Sequence, residues 1–152
     1  MKNVKKSVLI WYSPREMYDL VIDVKAYPTF LPWCSSAEVV ETLPEGMVAR
    51  LGIGYGSINQ KFTTRNHHEP GKSVTMDLVD GPFSSLKGVW TFTELPATPP
   101  QTEPPRACRI NFEISYEFSS KALEFVLGPV FDRIVNSQVE AFIKRANTVY
   151  GK

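Results

Sequence analysis

Much of what marks an enzyme, a metalloprotein or a membrane protein is missing from this 152-residue sequence. It has two cysteines, Cys34 and Cys108, far apart and in no paired motif. That excludes a disulfide framework or a CxxC site, and both are expected as reduced, buried thiols. The two histidines, His67 and His68, are adjacent. Neighbours on a strand point to opposite faces, so the pair is badly placed to share a metal, and beside Glu69-Pro70-Gly71 it reads as the rim of a turn. Charge of one sign is lacking too: 17 Lys and Arg against 16 Asp and Glu leave a formal charge of +1. No global field draws such a chain to DNA or to an anionic membrane, and a DNA partner is not expected. Lys5, Lys6, Lys61, Arg65, Lys87, Lys144 and Arg145 remain as a dispersed basic set that reads as solvated surface.

Long apolar runs are absent as well. Val8-Leu9-Ile10-Trp11-Tyr12 is too short for a secretory core and is followed by no small-residue cleavage site, and nothing approaches the ~20 residues of a spanning helix. A cytoplasmic protein is expected. There is no Gly-rich phosphate loop, no G-x-S-x-G elbow and no H-E-x-x-H. Of the strand carboxylates Asp77, Asp80, Glu113 and Glu117, alternation turns Asp77, Glu113 and Glu117 away from the apolar stripes, which leaves general acid–base work poorly supported. The expectation is a binding protein rather than an enzyme, with no catalytic and no metal-ligating residues.

What the chain does have is apolar side chains, 43% of the total with 12% aromatic, and 12 prolines. A chain of this length is expected to form one domain over residues 1–152 and to bury about 69% of its unfolded surface. Residues 6–12 read as a first strand. Ser13-Pro14-Arg15-Glu16 then has the parts of a capping box with proline at the first helical position, and Met17, Leu20, Val21 and Val24 follow at helical spacing up to about Lys25. Pro28 and Pro32 limit the next segment to one further helical turn. Six more strands are predicted, over residues 37–42, 47–53, 57–66, 73–79, 85–95 and 107–118, separated by Pro- and Gly-containing turns. The last alternates most cleanly: Cys108, Ile110, Phe112, Ile114, Tyr116 and Phe118 on one side, polar residues on the other. The link between the last two strands, residues 96–105, holds five prolines and reads as a solvent loop. Ser119-Ser120 can cap a final helix running to Tyr150, with Leu127, Phe131, Ile134, Gln138, Phe142, Arg145 and Val149 on one face. Gly128-Pro129 predicts a kink or a break in it.

These elements make an α+β layer pair, a seven-stranded antiparallel sheet whose apolar face has one large partner, the terminal helix, with two short helices after the first strand. A sheet curved around one helix leaves space between them. A dry space of about 300 Å³ at roughly 24 cal/mol per Å³ would cost about 7 kcal/mol, as much as the stability of a whole domain. Such a space is therefore either closed by side chains or filled by an apolar ligand. The candidate wall is Phe30, Trp33, Phe62, Met76, Leu78, Phe83, Trp90, Phe112 and Tyr116, facing Phe131, Ile134 and Val135 of the helix.

The same residues carry a family likeness. Tyr12-Ser13, Met17-Tyr18, Leu20-Val21 and Asp23-Val24, followed by Tyr27-Pro28-Thr29-Phe30-Leu31-Pro32-Trp33-Cys34, resemble the opening of the coenzyme-Q-binding START-domain proteins of the polyketide cyclase/dehydrase superfamily. Phe62-Thr63-Thr64-Arg65-Asn66, Leu78-Val79-Asp80-Gly81-Pro82-Phe83 with Trp90 and Phe92, Cys108-Arg109-Ile110, Tyr116-Glu117-Phe118, Ala141-Phe142, Arg145-Ala146 and Val149-Tyr150 continue the likeness, most of all to the bacterial branch of ribosome-association toxins. The resemblance implies the helix-grip fold and, for function, a polyprenyl quinone such as ubiquinone or another lipid bound as cargo in support of respiratory electron transport. Its other implication is binding to the large ribosomal subunit that blocks subunit association. A lipid cargo also implies transient contact with the inner-membrane surface. The ligand is expected to enter between residues 27–33, the Pro82-Phe83 turn and Pro129, with its headgroup near Trp33 and Tyr116.

Overall fold

The alternation read in residues 107–118 organises the fold, since Cys108, Ile110, Phe112, Ile114 and Tyr116 are all buried while Arg109 and Glu117 are exposed. The computed structural model describes residues 2–94 and 107–151, so the proline-rich link lies outside the described residues. Along the chain come β1 (Lys2–Ile10), α1 (Pro14–Ile22), a 3-10 turn (Val24–Ala26), α2 (Tyr27–Phe30), β2 (Cys34–Leu43), β3 (Gly46–Tyr55), β4 (Ile58–Glu69), β5 (Ser73–Asp80), β6 (Phe83–Glu94), β7 (Cys108–Phe118) and α3 (Lys121–Tyr150). The strands form one antiparallel sheet in the order β1-β7-β6-β5-β4-β3-β2. This is the helix-grip arrangement implied by the resemblance.

Consecutive strands from β2 to β7 are neighbours, whereas β1 and β2 lie at opposite edges. The chain crosses between those edges through the short helices, and α1 packs on α3, β5 and β6. Its capping box is formed in full, with the Glu16 amide donating to Ser13 Oγ at 3.1 Å and the Ser13 amide to Glu16 Oε1 at 2.9 Å. Four register shifts, at Cys34/Ser36, Val39/Glu41, Thr63/Thr64 and Phe83/Ser85, bend the strands they interrupt. In the turn between β5 and β6, Gly81 has φ +148° and an added Cβ would lie 2.7 Å from Phe62 Cβ. No other residue fits there.

Two expectations need correction. The first strand begins at Lys2 and stops at Ile10, because its partner β7 pairs from Lys2↔Tyr116 to Ile10↔Cys108 and then runs out. Trp11 is left 83% exposed. The break at Gly128-Pro129 does not occur, since α3 is one helix through Pro129. Proline 129 lies on the solvent side, and the carbonyl it deprives of a donor belongs to Phe125, itself 85% exposed, so water can replace the lost bond. Ser120 caps the helix start, accepting from the Leu123 amide at 3.1 Å.

Candidate ligand cavity

Strand alternation and the α3 stripe aim two sets of side chains into the gap between sheet and helix. From the sheet come Ala49 and Leu51 on β3, Phe62, Thr64 and Asn66 on β4, Met76 on β5, Leu86 and Trp90 on β6, and Phe112 and Ile114 on β7. From α3 come Phe131, Ile134, Val135 and Gln138, and the crossing segment adds Val24, Tyr27 and Trp33. They enclose a cavity of about 70 Å³. That is roughly half the ~150 Å³ that holds a benzene in an engineered apolar cavity, and at ~24 cal/mol per Å³ an empty space of this size costs only about 1.7 kcal/mol. The 300 Å³ envisaged from sequence is therefore mostly closed by side chains.

Aromatic clusters brace the cavity at either end. Trp90 packs on Phe112 with centroids 4.4 Å apart and on Phe142 at 5.2 Å, and Phe142 also meets Tyr27 and Phe30. Toward the start of α3, Phe83 lies 5.0 Å from Phe118 and 5.0 Å from Phe131, and Phe131 lies 4.7 Å from Tyr116. Edge-to-face geometry dominates both groups, as the ring quadrupoles favour.

Of the twelve candidate residues, Trp33, Phe62, Met76, Trp90, Phe112, Phe131, Ile134 and Val135 line the cavity. Phe30, Leu78, Phe83 and Tyr116 do not. Phe30 covers Phe142 from outside and carries the Arg145 guanidinium 5.0 Å above its ring, beside a surface groove. Leu78 is half-buried beside the β5 bulge at Val79. Phe83 fills the Phe118–Phe131 end. Tyr116 sends its hydroxyl to the Asp132 carboxylate at the far end of the sheet, and burial together with that carboxylate raises its pKa. Trp33 and Tyr116 therefore do not share a headgroup position.

The polar members of the wall are the ones sequence reasoning passed over. Thr64 and Asn66 are 5% and 6% exposed, and the Thr64 hydroxyl donates to Asn66 Oδ1 at 2.7 Å. Gln138 adds an Oε1 that is buried without a hydrogen-bond partner among the described residues. Alternation from Phe62 already aims Thr64 and Asn66 inward, and Gln138 interrupts an apolar helix stripe, so both signals were present. Tyr27 is the ionisable side chain of the wall. Its hydroxyl donates to the Val21 carbonyl, and burial raises its pKa further from neutrality. Cys34 and Cys108 are free and buried, which pushes both thiols up to about 11. Among the described residues no group of three or more His, Cys, Asp or Glu is placed to hold a metal.

The profile of a family described as polyketide cyclase/dehydrase and lipid transport matches residues 10–143. The chain belongs to that family. Within it, the chain is 41% identical over 152 residues to the ribosome association toxin RatA of Vibrio cholerae, covering 100% of both sequences. It is 30% identical over 148 residues to coenzyme Q-binding protein COQ10 homolog B of Xenopus laevis, covering 97% of this chain and 59% of that protein. The Zhui aromatase/cyclase from Streptomyces superposes with a TM-score of 0.74 at 15% identity over 96% of this chain and 93% of that one, a likeness of fold. No helix among the described residues of this family member is long and apolar enough to cross a membrane.

Proposed function

We propose that the chain binds an apolar ligand of the polyprenyl-quinone class between sheet and helix, and serves it as carrier or chaperone rather than as enzyme. The observation that carries this reading is the cavity wall: aromatic and aliphatic on nearly every side, with uncharged amide and hydroxyl groups as its polar points. Sites for small apolar ligands have this composition. Proton chemistry has little support there, because the Tyr27 hydroxyl is already committed to a backbone carbonyl. A quinone ring needs more than 70 Å³, so binding requires the wall to widen. Met76, unbranched and only half-buried, is the side chain best suited to yield. A long polyprenyl tail exceeds the width of the fold and would bend or protrude, which suits a cytoplasmic carrier working at the inner-membrane surface. Lipid extraction and mass spectrometry of the purified protein test this directly. A co-purifying quinone, or a melting temperature raised by added quinone, is the expected result. Neither appearing would refute it.

A second reading, association with the large ribosomal subunit, is favoured by the full-length likeness to proteins named for ribosome association. The sheet's outer face lends it little. Arg65 and Lys87 are separated by Asp77 in one cross-strand row, and Lys5 is paired with Glu113 at 3.6 Å. Sedimentation with large subunits across a salt series decides it, since phosphate contacts strengthen as salt falls. Failure to co-sediment at low salt would remove this reading.

A further inference from the structure

The outward face of α3 changes character along its length. From Arg133 to Thr148 every exposed position is polar, whereas in the first turns Ala122, Phe125, Val126 and Pro129 are exposed and apolar, with Lys121 and Glu124 the exceptions. Phe125 is 85% exposed and Val126 56%. Leu127 and Phe131 are buried on the inward side of the same stretch, so the helix start is apolar nearly all round, and a helix of that kind needs cover on its second side. Four such side chains offer roughly 400 Å², about half of what each partner gives to a stable protein–protein interface. A second copy or a folded partner would gain too little from them. A bilayer needs no matching surface, because it takes in a projecting phenyl ring.

The charges around the band agree. Glu124 and Asp132 turn to a pocket on the β1 side of the helix that they share with Lys2, where Asp132 pairs with the Lys2 ammonium at 3.2 Å and accepts from the Tyr116 hydroxyl. That leaves Lys121 and Arg133, both exposed, as the ionised groups at the two ends of the band, ~18 Å apart along the helix. Arg133 donates to the uncharged Tyr55 hydroxyl at 2.5 Å and so keeps its charge available. From this we infer that the start of α3 docks the protein on an anionic bilayer, with Phe125 and Val126 at the boundary of headgroups and acyl chains and Lys121 and Arg133 on lipid phosphates. The Phe125 carbonyl, deprived of its donor by Pro129, limits the depth, because it must stay where water reaches it. Phe131, a cavity residue, lies about 9 Å further along the same helix, so the docked bilayer adjoins the Phe83–Phe118–Phe131 end of the cavity. The role of this contact rests on the carrier reading, and the contact itself on the exposed band.

The test is flotation of the full chain with vesicles of phosphatidylethanolamine and phosphatidylglycerol, and with vesicles of phosphatidylcholine alone. The natural protein is expected to float with the first and several-fold less with the second, and added salt to narrow the difference. Phe125→Ser combined with Val126→Ser should weaken partition about tenfold or more, since both apolar groups lose a buried place, while titration with a short-chain quinone stays unchanged. Trp11→Ser, which removes an equally exposed ring beside the far end of α3, should change partition by less than about twofold. No flotation with quinone binding intact would overturn the docking and leave the carrier reading. Flotation without any quinone binding would remove the carrier reading while the bilayer contact stood. Full flotation of the double variant, or an equal loss with Trp11→Ser, would overturn the docking. So would a dimer in sedimentation velocity that the double variant dissolves, which would give the band to a second copy.

Discussion

Filling the cavity should strengthen the fold and abolish binding together. Ala49 is the wall residue with most to gain: it is 3% exposed, sits on β3 between Val39 and Thr64, and faces the empty space. Ala49→Val adds two methyl groups and a β-branched side chain suited to a strand. Burying them contributes about 1.6 kcal/mol at ~0.8 kcal/mol per methylene, close to the ~1.7 kcal/mol that the vacant 70 Å³ costs. In a domain of this size that is a rise in Tm of roughly 3–6 °C. The assay pairs thermal unfolding followed by far-UV circular dichroism with quinone titration followed through Trp33 and Trp90, both in the wall. The expected result is a higher Tm with binding weakened at least tenfold, because the added methyls occupy ligand space. A variant destabilised by about 1–3 kcal/mol would mean overpacking, and hence no usable space. A stabilised variant that binds as well as the natural protein would place the ligand elsewhere.

Other expectations follow from single residues. Gly81→Ala puts a Cβ 2.7 Å from Phe62 Cβ at φ +148° and should cost about 1–3 kcal/mol in a urea titration, whereas an unchanged midpoint would contradict the packing described. Phe142, wholly buried against Tyr27, Phe30 and Trp90, should cost about 3–5 kcal/mol as Phe142→Ala, and a loss below 2 kcal/mol would show that the end of the cavity collapses freely. Burial, helped by the neighbouring His67, holds His68 below its ordinary 6.5. The unfolded chain therefore takes up that proton first, so the contribution is intact above 6.5 and is lost as pH falls through it toward the lower folded value. Urea midpoints from about pH 7.5 down to about pH 5.5 should fall less for His68→Gln than for the natural protein, and equal falls would remove His68 as the cause.

How much of this was legible in the sequence depends on whether a residue's role is set locally. Ser13 and Glu16 cap α1, Ser120 caps α3 and β7 alternates as read, because each depends on neighbours within a few positions. The early start of β1 was hidden. Lys2, Asn3 and Lys5 carry no strand pattern, and only backbone pairing to β7 makes them one. Pro129 misled in the other direction, since its cost depends on whether the deprived carbonyl meets water, and that is a matter of packing. For the cavity, alternation and the α3 stripe pointed seven of the candidate side chains into the gap, and Trp33 joins them from the crossing segment. Tyr116 and Phe83 share those faces but sit too far along the strands, toward the start of α3, and a period says nothing of that distance. The volume was beyond reach too, because whether aromatic side chains meet or leave a gap depends on rotamers that the sequence does not display.

The central claim is that the space between sheet and α3 receives an apolar ligand, and methyl-detected NMR during titration with a short-chain quinone tests it most directly. Ala49, Leu51, Met76, Leu86, Ile114, Ile134 and Val135 place methyl groups around the cavity. Their resonances should shift together and saturate, with Met76 moving most as the wall widens. Shifts confined to the outer groove at Phe30 and Ala141, with the cavity methyls unmoved at saturation, would contradict it.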